Sequence, residues 1–216
     1  MSNLPKIGDK KSLTQKAYDA IKEAILLNQL KPGELLKEEK LAESLVISRT
    51  PIRSALKQLS YEHLVTINSS RNMIVSTITQ KDIEELYVVR EALELATVRE
   101  LKGRITNENI RVLEGILSRQ EQARLEEDYV EYVKLELEFH VSLAKYTRNK
   151  WIIEMSSTVH TIVQRYLVLS GSLKKHSSAA SEEHRRILAA IAEGDFEKAE
   201  QLMFEHIDKV KNRILT

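Results

Sequence analysis

Cysteine is absent from this sequence of 216 residues, and glycine and proline are rare, with six and three residues. The absence of cysteine excludes disulfides, thiolate metal ligands and cysteine nucleophiles. Glycine and proline together usually make up about 12% of a protein, so a chain with so few of them has few turns. These counts predict a mostly helical protein and exclude a β-sandwich or a collagen-like chain.

Long apolar runs are also missing, and none approaches the ~20 residues that cross a bilayer. The N-terminal segment Met1–Lys6 lacks the apolar core of a secretory signal. The apolar fraction of 42% is large enough to build buried cores. We therefore expect a soluble, cytoplasmic protein that does not enter a membrane.

The N-terminal part of the chain has a net positive charge and the rest has a net negative charge, although the net charge of the whole sequence is only +1. Residues 1–76 contain 12 lysines and arginines and 8 acidic residues, whereas residues 77–216 contain 21 and 24. A polyanion would therefore meet the N-terminal part. Taken alone, this asymmetry favours a nucleic-acid partner only slightly over a solvated surface.

The first 78 residues are predicted to contain three helices. Apolar spacing predicts an amphipathic helix of about 16 residues from Ser12, and a shorter helix follows around residues 38–45. A third helix begins near Ser48, with Pro51 tolerated in its first turn.

A β-hairpin is predicted to follow these helices. Strand-forming residues at 64–67 and 73–78 flank the segment Asn68–Asn72, whose two asparagines are suited to a left-handed turn. Three helices and a hairpin form a winged helix-turn-helix, and we expect this domain to span residues 1–78.

The third predicted helix has a basic face. Arg49, Arg53 and Lys57 recur at four-residue steps, beside an apolar stripe. Stacked like charges repel, so this face suits phosphates and guanine edges, whereas a solvated face is the alternative for a lone helix. The helix N-terminus and the hairpin tip add donors for phosphate and for the minor groove. The predicted DNA-binding residues are Ser48, Arg49, Thr50, Arg53, Lys57 and Arg71.

The remaining residues, 79–216, are predicted to form an all-helical domain. Thr79 and Asp82 have the spacing of a capping box that begins a long helix ending near Leu101. The serine-rich stretch Ser170–Ser181 is interpreted as a loop or a frayed helix end. Turn-forming residues divide the domain into a bundle of six helices, with breaks near residues 103–106, 127–128, 148–150, 171–181 and 194–195.

Three histidines and one carboxylate of this domain are spaced to converge. Glu136 and His140 are four residues apart, hence on one helix face. His184 lies ten residues before a predicted turn at 194–195 and His206 lies eleven after it, so a helix hairpin would place both imidazoles at a similar height. A set of three imidazoles and a carboxylate suits a divalent metal such as Zn²⁺ or Ni²⁺. For each histidine alone, a structural role is the alternative.

Arg90 and Asn149 are further polar candidates. Arg90 follows a mostly apolar stretch, where an unpaired guanidinium is costly, so it needs an anion. Glu94 at the i+4 position is one candidate for that anion. Asn149 is placed either to cap its helix or to face a pocket. His160 and His176 have no partner at a useful spacing.

One ordered pattern lies in the first part of the sequence, at Leu30-Lys31-Pro32-Gly33, Leu41-Ala42 and Ser48-Arg49-Thr50-Pro51-Ile52-Arg53-Ser54-Ala55-Leu56. By this pattern the first part resembles the GntR family of repressors. A second pattern lies at Leu86–Arg90, Glu94, Glu136–His140, Asn149, Glu183–Asp195 and His206-Ile207. By that pattern the second part is similar to the FCD ligand-binding domain of the FadR-type branch, and its six predicted helices resemble the VanR-like subgroup.

The resemblance implies a homodimeric, ligand-responsive regulator that reads a pseudo-palindromic operator in double-stranded DNA. The implied effector is a small organic or sugar acid whose carboxylate bridges Arg90 and the metal, with Asn149 as a further candidate. Members of the family commonly bind metal through an aspartate and three histidines. Glu136 departs from this pattern by one methylene, so its carboxylate must fold back or bind through water. Glu39 stands where some relatives place an additional DNA-contacting arginine, and that contact is expected to be missing.

Enzymatic activity is not expected from this sequence. The metal-dependent hydrolase motif His-Glu-x-x-His, the Gly-x-Ser-x-Gly elbow and a phosphate-binding glycine loop are all missing. The alternative to a ligand-responsive regulator is an architectural DNA-binding protein without a small-molecule response. In that case the helical domain would serve only as a dimerisation platform.

Overall fold

The computed structural model describes residues 12–215, which divide into two compact units. One unit contains residues 12–25 and Gln29–Thr77, and the other contains Leu26–Asn28 and residues 78–215. The expectation about a secretory signal concerns Met1–Lys6, which lie outside the described residues.

The first unit is built from three helices and a β-hairpin, as predicted. Its amphipathic helices bury one face each, and the side chains of Ile52, Leu56 and Leu59 are fully buried. The strands pair antiparallel, with Val65 opposite Val75 and Ile67 opposite Met73. The elements are α1 (Leu13–Leu26), α2 (Glu38–Leu45), α3 (Arg49–Tyr61), β1 (Val65–Ile67) and β2 (Met73–Val75).

The hairpin turn differs from the sequence prediction. Arg71, with φ of 59°, takes the left-handed conformation that was expected of the asparagines. Asn68 serves the turn through its side chain instead, because its Oδ1 accepts hydrogen bonds from the backbone N–H groups of Ser70 and Asn72, at 3.0 Å each. The side-chain carbonyl therefore satisfies two turn donors, as in an Asx turn.

The second unit is a bundle of six helices, which confirms the predicted fold class. The capping box of Thr79 and Asp82 begins α4, with both reciprocal hydrogen bonds formed. A second box, formed by Thr106 and Asn109, begins α5. The helices are α4 (Gln80–Leu101), α5 (Asn107–Leu125), α6 (Tyr129–Tyr146), α7 (Lys150–Ser170), α8 (Leu173–Glu193) and α9 (Phe196–Leu215).

Most of the serine-rich stretch is helical, which corrects the interpretation of Ser170–Ser181 as a loop or a frayed helix end. The break is confined to Gly171 and the following residue, and Gly171 has a φ of 67° that a glycine adopts without strain. Ser181 is buried in α8. The hydroxyl of Tyr132 donates a hydrogen bond to the backbone carbonyl of Ser177 and lies 3.3 Å from Ser181 Oγ.

Within the bundle, α9 packs against both α4 and α8, and α6 packs against α5 and α7. Buried side chains from all six helices form one continuous core. Buried polar residues lie on the inner faces of all six of these helices. Across residues 12–215, every helix is too short or too polar to cross a membrane.

Candidate functional site

Four buried side chains from three helices converge inside the bundle. Glu136 and His140 project from α6, His184 from α8 and His206 from α9, and each is at most 7% exposed. The Nε2 atoms of His184 and His206 are 3.3 Å apart. Glu136 Oε1 lies 3.6 Å from His140 Nε2 and 3.5 Å from His184 Nε2. The structure thus brings together all four residues predicted as metal ligands.

These separations fit a metal ion better than they fit direct hydrogen bonds. Ligand atoms about 2.0–2.1 Å from a tetrahedral metal ion lie roughly 3.4 Å from one another. A strong N–H···O bond would require about 2.9 Å. All four ligand atoms lie within 4.8 Å of one another, and the donor set of three imidazoles and one carboxylate could hold a metal ion.

The outward nitrogen of each histidine faces an acceptor on a different helix. His140 Nδ1 lies 2.6 Å from Glu94 Oε1 on α4, and His206 Nδ1 lies 2.9 Å from Glu183 Oε2 on α8. His184 Nδ1 lies 3.4 Å from Gln120 Oε1 on α5. An acceptor at Nδ1 favours the tautomer with the proton there, which leaves the lone pair of Nε2 for the metal.

The extra methylene of Glu136 is accommodated inside the protein. Gln120, which is fully buried on α5, donates from Nε2 to Glu136 Oε2 at 2.8 Å. The other oxygen, Oε1, is the one that faces the imidazoles. One carboxylate oxygen is therefore held by α5 while the second remains directed at the convergence point.

Burial and the neighbouring charges shift the pKa values of the four candidate ligands in different directions. Burial would raise the pKa of Glu136, but the histidines around it outweigh burial and hold this pKa well below its ordinary value. Burial lowers the pKa of His184 well below its ordinary value and also lowers the pKa of His206. Burial also acts to lower the pKa of His140, yet Glu94 and Glu136 outweigh it and raise this pKa.

Arg90 lies beside the four ligands and is 1% exposed. Its Nη1 donates to the hydroxyl of Tyr87 at 3.0 Å, and its Nη2 lies 3.5 Å from His140 Nε2, the nitrogen that faces the convergence point. Its Nε lies 3.8 Å from Glu94 Oε1, so the predicted i+4 ion pair is present but loose. Part of the guanidinium is thus available to an anion near the candidate metal position.

The prediction that His160 has no partner at a useful spacing is wrong, because it contacts both Glu94 and His140. Its Nε2 lies 2.8 Å from Glu94 Oε1, and its ring stacks on His140 with centroids 4.5 Å apart. Burial lowers the pKa of His160 to about 4. Glu94, His140 and His160 form a second group of potential ligands, but their separations of 2.6 and 2.8 Å are contact distances that leave no room for an ion.

Sequence reasoning missed the contributions of Gln120, Glu183 and His160. The available signal for His160 was its position between Val159 and Val163 on the buried face of α7. Gln120 likewise occupies a position of the apolar stripe of α5, where a glutamine is out of place unless it has partners.

Asn149 is explained by helix capping, the first of the two roles open to it. Its Oδ1 accepts from the backbone N–H groups of Trp151 at 3.1 Å and Ile152 at 3.4 Å, at the N-terminus of α7. None of its hydrogen bonds to the described residues involves the four candidate ligands. A contact between Asn149 and the effector stays a prediction.

A small cavity lies against the ligand cluster. Its volume is about 30 Å³, and Glu136 forms part of its wall. Pockets for small organic ligands usually measure about 300–1,000 Å³, so this conformation is closed to them. Most of the wall is apolar, and it includes Tyr132, Leu167, Val210 and Ile214.

The six predicted DNA-binding residues are all exposed in the first unit. Two arginines on the basic face of α3 are engaged by carboxylates of α2. Arg49 Nη1 lies 2.9 Å from Glu39 Oε1. Arg53 forms a fork with Glu38, donating from Nε at 2.8 Å and from Nη2 at 2.7 Å. The Ser48 side chain makes no capping hydrogen bond at the start of α3, which leaves its hydroxyl open to a phosphate.

Comparisons with known proteins agree with this two-part organisation. Residues 13–75 match the family described as bacterial regulatory proteins, gntR family, and residues 85–209 match the FCD domain. The chain is 29% identical over 185 residues to the Nta operon transcriptional regulator of Aminobacter aminovorans, covering 86% of each protein. It is 22% identical over 202 residues to the HTH-type transcriptional repressor RspR of Escherichia coli, covering 94% of this chain and 89% of the relative.

A solved structure has a similar fold. The structure described as E. coli McbR/YncC superposes with a TM-score of 0.82 at 22% sequence identity, covering 95% of this chain and 98% of the other. This superposition shows that the two proteins share a fold.

Proposed function

Since the chain belongs to the gntR family of bacterial regulatory proteins and carries an FCD domain, we propose that it is a cytoplasmic repressor of a metabolic operon that releases DNA when a small organic or sugar acid binds. Proteins of this family are transcription regulators and not enzymes. The gntR domain implies DNA binding, and the FCD domain implies a small-molecule effector.

The DNA contact rests on the exposed basic face of α3. In a major groove, Arg49 and Arg53 would contact base edges, with Ser48, Thr50 and Lys57 on the phosphate backbone. Arg71 at the hairpin tip would reach the minor groove. A homodimer would present two such helices to the half-sites of a pseudo-palindrome. Glu39 brings a negative charge to this surface, so no additional arginine contact is made at that position.

The effector site rests on one observation above all: three inward Nε2 atoms and one carboxylate oxygen meet at separations expected around a metal ion. We assign Glu136, His140, His184 and His206 as ligands of a divalent metal, Zn²⁺ or Ni²⁺. When bound, the metal would supply positive charge for an anion. Arg90 supplies a second positive charge at the same place.

The charges of the buried centre favour a monoanionic effector. Glu94 and Glu136 contribute two negative charges, Arg90 contributes one positive charge, and a divalent ion would contribute two more. The sum is one net positive charge in a buried site, and an uncompensated buried charge is costly. One carboxylate would neutralise it. Glu183 does not enter this sum, because Arg213 pairs with it at 2.6 Å.

The cavity beside Glu136 is smaller than the usual pocket for a small organic ligand, so effector binding would be coupled to an opening of the bundle. A ligand that binds the open form better than the closed form shifts the population between them. A differential affinity of a few kcal/mol would suffice to change the spacing of the two winged helices in the dimer.

The experiment that tests the DNA-binding role is selection of bound genomic fragments with the purified protein at near-physiological salt. Arg53→Ala should lose about 1–3 kcal/mol of operator binding and relax base preference, whereas Lys57→Ala should mainly flatten the salt dependence. Recovery of a short palindrome by the unaltered protein, lost with Arg53→Ala, supports the proposal. Equal losses on operator and on random DNA for both variants contradict it.

Experiments with the same purified protein can show whether it is a ligand-responsive regulator or an architectural DNA-binding protein. Alanine substitutions of Arg90, His140, His184 and His206 should abolish the response of the operator complex to organic acids. If no acid alters DNA binding in the metal-loaded protein, and these four variants behave like the unaltered chain, the helical unit serves dimerisation alone.

A further inference from the structure

Gln120 lies on α5, a helix that contributes no ligand to the candidate metal centre. Its side chain is fully buried, and both atoms of its amide are engaged by the centre. Nε2 donates to Glu136 Oε2 at 2.8 Å, and Oε1 lies 3.4 Å from His184 Nδ1. One neutral side chain thus touches two of the four ligands, on α6 and on α8.

The chemistry of an amide fixes how these two contacts are made. Its nitrogen only donates, so it faces the carboxylate oxygen, and its oxygen only accepts, so it faces an N–H group. The contact to His184 is favourable only if the proton of that imidazole is on Nδ1. Nε2 of His184 then keeps its lone pair on the side where Glu136 Oε1 and His206 Nε2 lie.

We propose that Gln120 is a positioning residue of the metal centre, which holds Glu136 as a ligand through one oxygen and fixes the metal-binding tautomer of His184. This inference rests on the metal assignment in the proposed function. Glutamate is long enough to offer both oxygens to one ion. The hydrogen bond to Gln120 occupies Oε2 and leaves Oε1 for the metal.

The neutral side chain of Gln120 also avoids adding a third negative charge next to Glu136. The outward nitrogens of His140 and His206 face the carboxylates of Glu94 and Glu183. A third carboxylate at position 120 would lie within hydrogen-bond distance of Glu136 and repel it. An amide can bind His184 and Glu136 at once without this repulsion.

The test is metal binding by the full-length protein carrying Gln120→Met, which keeps the side-chain length but removes both hydrogen bonds. Loss of such a partner of metal ligands typically costs about 10–100-fold in metal affinity. We expect a Zn²⁺ affinity lower by that factor in competition with a chelator. The visible spectrum of the Co²⁺-loaded variant should also weaken, because a second oxygen of Glu136 or a water raises the coordination number. Gln122→Met, an exposed change on the same helix, is the matched control and should leave both readouts unchanged.

A double-substitution cycle distinguishes positioning from a general effect on folding. The shorter carboxylate of Glu136→Asp does not reach Gln120, so Gln120→Met should cost much less metal affinity when combined with Glu136→Asp than alone. Should Gln120→Met not fold, Gln120→Asn retains the amide but withdraws it by one methylene, and it should show the same loss.

The outcomes separate this inference from the proposed function. If the unaltered protein binds one Zn²⁺ tightly and Gln120→Met binds it equally well with the same Co²⁺ spectrum, the role of Gln120 is wrong and the metal site stands. An equal loss in both carboxylate backgrounds also overturns the positioning role. If the unaltered protein binds no metal, this inference and the metal assignment both fail, while the DNA-binding role is untouched.

Discussion

The arginines proposed to contact DNA bases, Arg49 and Arg53, already form ion pairs with carboxylates. Glu38 and Glu39 lie in the first turn of α2 and pair with Arg53 and Arg49. Exposed ion pairs of this kind contribute about 0–1 kcal/mol, so they do not prevent binding. They do require the arginines to exchange one anion for another when DNA arrives.

Glu39→Gln is therefore expected to tighten DNA binding. The change frees Arg49 and removes a negative charge that would face phosphates, so affinity should rise by about twofold to tenfold. The measurement is a titration of operator and random DNA over a range of salt concentrations. Glu43→Gln, which makes the same charge change on the same helix, should have a smaller effect. An equal gain for both variants would mean that net charge alone is responsible.

Metal affinity should fall as the pH decreases from 8 to 5, with a slope of about one proton per ion. The pKa of His140 is raised, while those of His184 and His206 are lowered, so His140 holds the proton that the metal must displace. Above the pKa of His140 there is no competing proton, and below it each pH unit lowers the affinity about tenfold. Chelator competition across this range measures the slope. A metal affinity that does not change with pH would contradict histidine ligation. A loss of three protons per bound ion would contradict the assignment of a single competing proton to His140.

The convergence of the four candidate ligands was predictable from sequence because their spacing is set by two regular helices and one turn. Glu136 and His140 share a face of α6, and His184 and His206 lie at similar distances from the turn between α8 and α9. Contacts such as Gln120 with Glu136 depend on how separate helices pack against each other. Spacing along one chain segment does not encode that register, so this partner was missed.

The turn at Gly194 connects α8, which carries His184, to α9, which carries His206. Gly194 ends α8 with a φ of 78°, in the left-handed region. Gly115, by contrast, lies inside α5 with helical geometry, and in both places a Cβ would meet open space. The two glycines therefore differ in backbone conformation and not in available room.

Alanine at these two positions should have opposite effects on the free energy of unfolding. Gly194→Ala should destabilise by about 1–2 kcal/mol, because an L-residue is strained at positive φ. Gly115→Ala should stabilise by about 0.5–1 kcal/mol, because alanine is the better helix former. Urea unfolding of the metal-free protein measures both. Destabilisation of equal size at the two sites would mean that packing, and not backbone conformation, decides.

Element boundaries were predictable where a local signal decides them, as with the capping box at Thr79. They were wrong where tertiary contacts decide, as in the serine-rich start of α8, which is ordered by Tyr132 from α6. The turn of the hairpin was misassigned for a related reason. Asn68 uses its side chain in preference to its backbone, so Arg71 takes the strained conformation.

In the metal-loaded protein, the net positive charge proposed for the buried centre predicts the class of ligand. A small monocarboxylic acid should stabilise the metal-loaded protein against heat, while its methyl ester should not. At a ligand concentration of about 100 times Kd, the expected stabilisation is roughly 2.7 kcal/mol. Arg90→Gln should lose this stabilisation, and Arg99→Gln, an exposed change on the same helix, should keep it. Equal stabilisation by acid and ester would contradict the charge argument.

Reciprocity then links this site to the winged helix. If the acid lowers operator affinity by some factor, the operator must lower acid affinity by the same factor, because both describe one coupling free energy. Calorimetric titration of the acid into the metal-loaded protein, with and without operator, measures one side, and operator titration with and without acid measures the other. Arg90→Gln should bring both factors to one while leaving operator binding without acid intact. A factor that survives in Arg90→Gln would place the coupling outside the buried centre, and so would overturn the proposed route from acid to DNA.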